Sequence, residues 1–242
     1  MKKTNNIIGL VIVAVVVIGI IVVVSHRNRI NGHEYVDLGL SVKWATCNVG
    51  AEKPEENGDY YAWGEKETKS SYDYTKANYD SNTRRPNVDV AQEKWGSPWR
   101  MPTLEEFQEL IANCTWGWTT KNGVNGYKVT SRKNGKSIFL PAAGYRTGIS
   151  FKQINMEGHY WSSTWNSTDR RRTYDHTSNG KYYEYYRDET FSYKLYFNNV
   201  NIESPNRDYM NMNEEARMIF PNKYDIKIQA SYYGLPVRPV TD

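Results

Sequence analysis

Four tryptophans crowd the stretch from Trp95 to Trp118 (WGSPWRMPTLEEFQELIANCTWGW), and the residues between them specify one short helix. Thr103 is a good N-cap, Glu106 completes a capping box, and Pro102 keeps the residue before it extended, so the helix is expected to begin at about Leu104. Leu104, Phe107, Leu110 and Ile111 form one apolar stripe, while Glu105, Glu106, Gln108 and Glu109 are expected to face water. The four indole rings are more aromatic surface than this helix can cover, so other elements must pack against both its ends. The stretch holds no nucleophile, acid pair or ligand set and reads as scaffold.

The N-terminus is of a different kind. Residues 7–24 contain only Ile, Val, Leu, Ala and Gly, and at about 1.5 Å per residue such a helix covers about 27 Å, enough to cross a hydrocarbon core. It is either a cleaved signal peptide or a retained signal anchor. The run is longer than a usual signal-peptide core and no A-x-A site follows it, which favours the anchor. Lys2 and Lys3 on one flank nearly balance Arg27 and Arg29 on the other. The expected layout is a short flank at 1–6, a transmembrane segment at 7–24, a juxtamembrane linker at 25–32 and one domain at 33–242.

Those four bases account for the excess of 31 Lys and Arg over 27 Asp and Glu, so the domain itself is neutral. A neutral domain has no electrostatic footprint for nucleic acid, and none is expected as a partner. Cys47 and Cys114 are the only cysteines. In an exported domain the pair is a disulfide candidate; in a cytoplasmic one both are small buried thiols.

Most of the remaining chain reads as short strands and loops. Residues 33–49 suggest two strands broken by a turn at 37–41, residues 58–64 a short aromatic strand, and residues 65–87 a long surface loop. Val88 to Trp95 suggests a short helix. After Trp118 the pattern is a meander, with Asn134-Gly135 expected as a type I′ turn between strands at 127–130 and 137–140. Further strands are expected at 158–164, 191–202 and 232–240, with Pro236 and Pro239 keeping the last of these at a sheet edge.

Motifs for catalysis are absent. His26, His33, His159 and His176 lack metal-ligand spacing, and no G-x-S-x-G elbow, P-loop or dinucleotide fingerprint occurs. No metal or other cofactor is expected. Twelve of the twenty tyrosines lie between Tyr160 and Tyr233, and residues 165–186 (WNSTDRRRTYDHTSNGKYYEYY) mix Tyr with Asn, Ser, Asp and Arg. That composition suits a recognition surface, where Tyr gives rigid contact area and short polar residues give adaptable hydrogen bonds. The same tyrosines also fit an edge strand with half its rings packed inward. The candidate ligand-binding residues are Trp161, Trp165, Arg171, Tyr174, Tyr182, Tyr183, Tyr185 and Tyr186.

Six segments taken in order, at 34–50 (EYVDLGLSVKWATCNVG), 58–65 (GDYYAWGE), 99–103 (WRMPT), 137–146 (SIFLPAAGYR), 160–164 (YWSST) and 234–240 (GLPVRPV), together resemble the Fibrobacter succinogenes major paralogous domain. That family is abundant in exported proteins of gut Bacteroidetes. The resemblance implies an α+β, C-type-lectin-like fold with short helices, antiparallel strands and long loops, related to the formylglycine-generating sulfatase-modifying domains. It does not carry their activity, because those enzymes use cysteines late in the fold and none follows Cys114 here. Glu203-Ser-Pro-Asn206 and Trp165-Asn-Ser167 do not fit the calcium motifs of sugar-binding C-type lectins, so no calcium site is recognised. Some proteins of that fold carry hypervariable C-terminal surfaces, which the segment from Trp165 would suit. The expected function is a membrane-anchored, extracytoplasmic module, in the periplasm or at the cell surface, that binds a protein or glycan without catalysis. The alternatives are a carbohydrate-active or protein-modifying enzyme on the same fold, and a structural component of the cell envelope.

Overall fold

The computed structural model describes residues 28–74, 88–176, 182–199 and 224–242, with the backbone alone over 169–176 and 182–188. Three short strands, β1 (Arg29–Ile30), β2 (His33–Val36) and β3 (Lys43–Ala45), precede two helices, α1 (Val90–Trp95) and α2 (Leu104–Asn113). A meander of β4 (Cys114–Lys121), β5 (Val124–Ser131) and β6 (Ser137–Pro141) follows, then a small hairpin of β7 (Tyr145–Thr147) and β8 (Ser150–Lys152). Two long strands, β9 (Glu157–His176) and β10 (Tyr182–Asn198), lead to β11 (Tyr224–Ala230) and β12 (Val240–Thr241). The sheet orders are β1-β2-β3-β12, β4-β5-β6, β7-β8 and β11-β10-β9, and the ladders between these strands are antiparallel.

Strand residues far outnumber helical ones, so the expected α+β, C-type-lectin-like class is corrected to a mainly β fold. The excess comes from stretches without an apolar pattern. Polar and aromatic residues of β9 and β10 pair with each other across the ladder, and cross-strand pairing sustains a strand that a hydrophobic face does not mark. Conversely, residues 58–64 and 232–240, expected as strands, make little more than the isolated bridge Tyr61 to Leu235 and the short β12. Among the described residues no helix is long and apolar enough to cross a membrane. The apolar run 7–24, on which the expected membrane span falls, lies outside the described residues, as does 75–87 of the expected loop. Arg29 and Ile30, placed in the linker by sequence, pair as β1 with Glu34 and His33.

Helix α2 starts as its residues specify. Thr103 Oγ1 accepts from the Glu106 amide at 3.3 Å and Glu106 Oε2 accepts from the Thr103 amide at 2.8 Å. Two of the four expected water-facing residues have partners instead. Glu106 also binds Arg100 with both oxygens, at 2.9 and 2.6 Å, and Glu109 accepts from the Ser41 amide and hydroxyl. The tryptophans are covered from both ends. Trp95 stacks on His33 at 3.7 Å and meets Trp99 edge-on, while Trp116 stacks on Tyr224 at 4.7 Å and Trp118 meets Tyr127 at 5.1 Å.

Two apolar clusters share common walls. Trp44 packs with Phe107, Leu110, Tyr127 and Phe197, whereas its neighbour Ala45 packs with Trp95, Trp99 and Val237. Strand β9 repeats the division, with Tyr160 in the first cluster and Trp161 in the second. Successive strand residues point to opposite faces, so a strand buried on both sides serves two cores.

The Asn134-Gly135 turn is corrected as well. The last β5–β6 pair is Thr130 with Ser137, and only Gly135 of the intervening loop has a positive φ, of 72°. A type I′ turn needs two such residues. Instead Ser131 Oγ accepts from the Lys133 amide and Asn134 Nδ2 donates to the Asp37 carbonyl, tying the loop to the turn after β2. The disulfide candidate is also corrected, since Cys47 and Cys114 are free. Cys114 is sealed among Trp44 and Phe107, where burial pushes its thiol up to about 11. Cys47 lines a surface groove with His33, Glu34 and Pro54, a different environment from that of Cys114.

Arg238 is fully buried and donates to Asn48 Oδ1 at 2.8 Å, to the carbonyls of Ala45 at 3.1 Å and Phe139 at 3.0 Å, and to that of Thr46. Replacement of Arg238 by Lys, whose compact ammonium cannot span these acceptors, is expected to cost about 3 to 5 kcal/mol in urea unfolding. Thr103→Ala removes one half of the capping box and is expected to cost about 1 kcal/mol in the same measurement.

Candidate functional site

Strand β10 is the centre of its sheet for only part of its length. It pairs with β11 from Phe191 opposite Ala230 to Phe197 opposite Tyr224, but with β9 from Tyr182 opposite His176 to Asn198 opposite Glu157. Residues 167–176 and 182–191 therefore form a two-stranded ribbon that runs on past the end of β11. Register shifts at Phe191/Ser192 and Ser192/Lys194 mark its root, and bulges of this kind bend and twist a strand pair.

Six of the eight candidate ligand residues have their backbones on this ribbon. Arg171 lies opposite Arg187, Tyr174 opposite Glu184, Tyr182 opposite His176, Tyr183 opposite Asp175, Tyr185 opposite Thr173 and Tyr186 opposite Arg172. Trp165 sits at the root opposite Ser192 and is 37% exposed. Trp161 does not join them. Its ring is fully buried in the second cluster and its Nε1 donates to the Tyr61 carbonyl at 2.8 Å, so it is a core residue and not a platform for ligand.

Beside the root lies a group of polar side chains that spacing arguments missed. Glu157 and His159 alternate along β9, and Lys194, Tyr196 and Asn198 alternate along β10. Lys194 Nζ lies 2.7 Å from His159 Nδ1 and donates to Gln229 Oε1 of β11 at 2.7 Å. His159 Nε2 lies 2.9 Å from Glu157 Oε2, while Tyr196 donates to Glu157 Oε1 at 3.3 Å and Asn198 Nδ2 donates to the Tyr196 hydroxyl at 2.7 Å. The arrangement suits a neutral imidazole that gives its Nε2 proton to Glu157 and accepts from Lys194 at Nδ1. The Tyr145 ring covers His159 at 4.9 Å and is itself met by Tyr233, and Lys227 lies 3.6 Å over the Tyr196 ring.

Burial dominates the ionisation of this group. It lowers Lys194 to about 7, helped by the Lys227 charge and opposed by Glu157. It also lowers His159 to about 4, with the Lys194 charge acting the same way. For Glu157 burial works upward, but the hydrogen bonds from His159 and Tyr196 outweigh it and hold the carboxyl below its usual range. Lys194 and His159 are each 4% exposed, while the Glu157 side chain is 22% exposed. Among the described residues no group of three or more His, Cys, Asp or Glu is placed to hold a metal ion.

The signs of these shifts separate in pH. His159 resists a proton that the unfolded chain takes up near 6.5, so its contribution is lost as pH falls from about 6.5 to about 4, and the Glu157 contribution is lost in the same direction. Lys194 resists a proton that the unfolded chain takes up near 10.5, so its penalty grows as pH falls from there to about 7 and is constant below. Urea midpoints are expected to fall as pH drops from about 6.5 to about 4, with a slope that His159→Gln reduces, and to rise as pH increases from about 7 toward 10.5, with a slope that Lys194→Met removes.

No protein-family model, no curated protein and no solved structure matches this chain.

Proposed function

We propose that the chain is an exported, non-catalytic binding module that recognises a protein or glycan ligand outside the cytoplasm through the β9–β10 ribbon. The observation that carries this reading is the ladder itself. The Tyr-, Arg- and Asp-rich segment flagged by composition lies on the part of β9 and β10 that pairs with no third strand among the described residues. Paired strands hold the ribbon's residues in a fixed register at little further entropic cost. The apolar run at 7–24 and the resemblance to the Fibrobacter succinogenes major paralogous domain, a family of exported proteins, support placement in the periplasm or at the cell surface.

The relay bears on the alternative of a carbohydrate-active or protein-modifying enzyme. Its amine, imidazole and carboxylate hydrogen-bond to one another, and the amine and imidazole are each 4% exposed, which favours a positioning role over turnover.

Arrays of glycans and of extracellular proteins probed with the full chain are expected to show saturable binding to a small set of ligands. Replacing Tyr174, Tyr183 and Tyr185 together by Ser should weaken it at least about tenfold, with an unchanged melting temperature because these positions lie beyond the last β10–β11 pair. Undiminished binding by that variant would remove the ribbon from the reading. Product formation abolished by a single carboxylate substitution would replace the module with an enzyme.

A further inference from the structure

A second surface, on β4, β5 and β6, is built around missing side chains. Across the outward face of this sheet Gly117 pairs with Lys128, which pairs with Phe139, and Thr119 pairs with Gly126. A Cβ on Gly126 would lie 2.8 Å from Phe139 Cζ and 2.3 Å from the Leu140 carbonyl oxygen, so glycine there lets the Phe139 ring lie down on the sheet. A Cβ on Gly117 would meet nothing nearer than the Lys128 carbonyl oxygen at 4.0 Å, so the space above that position is open.

The result is a groove of about 460 Å³, within the size range of small-ligand sites. Phe139 and Lys128 line it, and Thr46, Thr119 and Ser137 place hydroxyl groups along it. Its two lysines are not equivalent. Lys121 is 3.6 Å from Glu55, which also accepts from Asn122 Nδ2 at 2.6 Å. Lys128 is exposed and makes no ion pair among the described residues, so the groove keeps one uncompensated positive charge.

We infer that this groove binds an acidic saccharide. The hydroxyls of Thr119 and Ser137 exchange hydrogen bonds with sugar hydroxyls, Lys128 receives the anionic substituent, and the small part of Phe139 left uncovered, 8%, adds an apolar edge to the floor. A hydroxyl-lined groove with one cation unpaired among the described residues matches a sugar ring better than an acidic peptide, which would need several cations and apolar recesses for its side chains. A carboxylate and a sulfate satisfy Lys128 equally. This site is separate in sequence from the ribbon and does not depend on the ribbon's role.

The test is calorimetric titration of the full chain with four probes of similar length: an oligogalacturonate, a sulfated galactan oligomer, a neutral gluco-oligosaccharide and a polyglutamate peptide. At least one acidic saccharide is expected to bind saturably and to weaken as salt is raised, and the two acidic arms distinguish uronate from sulfate. Lys128→Gln should reduce that affinity about tenfold, and Gly117→Phe, whose ring enters open space, should abolish it while leaving the melting temperature unchanged. The triple tyrosine variant of the ribbon should bind as the parent does, which separates failure of one site from failure of the other. Equal affinity for the neutral sugar, equal or tighter binding of polyglutamate, full binding by the Gly117→Phe chain, or no saturable binding by either acidic probe would each overturn the inference.

Discussion

Arg238 is an always-charged side chain buried with no carboxylate beside it. Removing such a charge from water costs several kcal/mol, and a guanidinium cannot escape the cost by losing its proton. Here the compensation comes from oxygens supplied by distant parts of the chain: the end of β3, Asn48 shortly after it, and Phe139 of β6. The arrangement exists because of what flanks it. Pro236 and Pro239 have no amide hydrogen, so residues 234–240 cannot form a two-sided ladder. They serve mainly as acceptors, with the carbonyls of Leu235, Pro236, Val237 and Pro239 taking the amides of Tyr61, Trp161, Val49 and Ala45. The segment is a strap between β3 and β9, and Arg238 supplies donors where its prolines have none.

That strap explains how two cores share so short a chain. Strand β3 and residues 158–162 of β9 are buried on both faces, which is why Trp44 and Ala45, or Tyr160 and Trp161, are neighbours in sequence and belong to different clusters. An aromatic-rich strand with both faces covered needs polar atoms satisfied inside. The indole nitrogens of Trp63, Trp99 and Trp161 donate to carbonyls of Ser162, Ile30 and Tyr61, which cross-links the strands that the rings pack against. Trp44 Nε1 and Trp116 Nε1 have no such partner among the described residues, a cost offset by the ring area they bury in the larger cluster.

The sequence was most legible where a local rule sufficed. The capping box of α2 depends on residues within one turn, so Thr103 and Glu106 announce it. It was least legible where pairing across the chain decides the outcome. In Cys114–Lys121 the apolar alternation is limited to Cys114, Trp116 and Trp118, and its ladder with Val124–Ser131 carries the strand on to Lys121. Glu157, His159 and Lys194 gave no spacing motif because their proximity comes from the register of β9 against β10. One signal was available: Lys194, Tyr196 and Asn198 alternate with Leu195 and Phe197, a polar face opposite an apolar one, and that pattern could have named half of the relay. Nothing local could have shown that this polar face is covered.

The location of the relay connects the interior to the proposed binding surface. Lys194 belongs to β10, His159 to β9 and Gln229 to β11, so two hydrogen bonds at Lys194 tie together all three strands next to the bulges where the ribbon departs. A two-stranded ribbon is marginally stable by itself in water. One fixed at its root to a third strand and to a buried charged network loses little further freedom when it engages a partner, and the entropic cost of binding falls accordingly. The amine, imidazole and carboxylate thus brace the root of the ribbon, and the lowered ionisation of Lys194 and His159 follows from holding that root out of water.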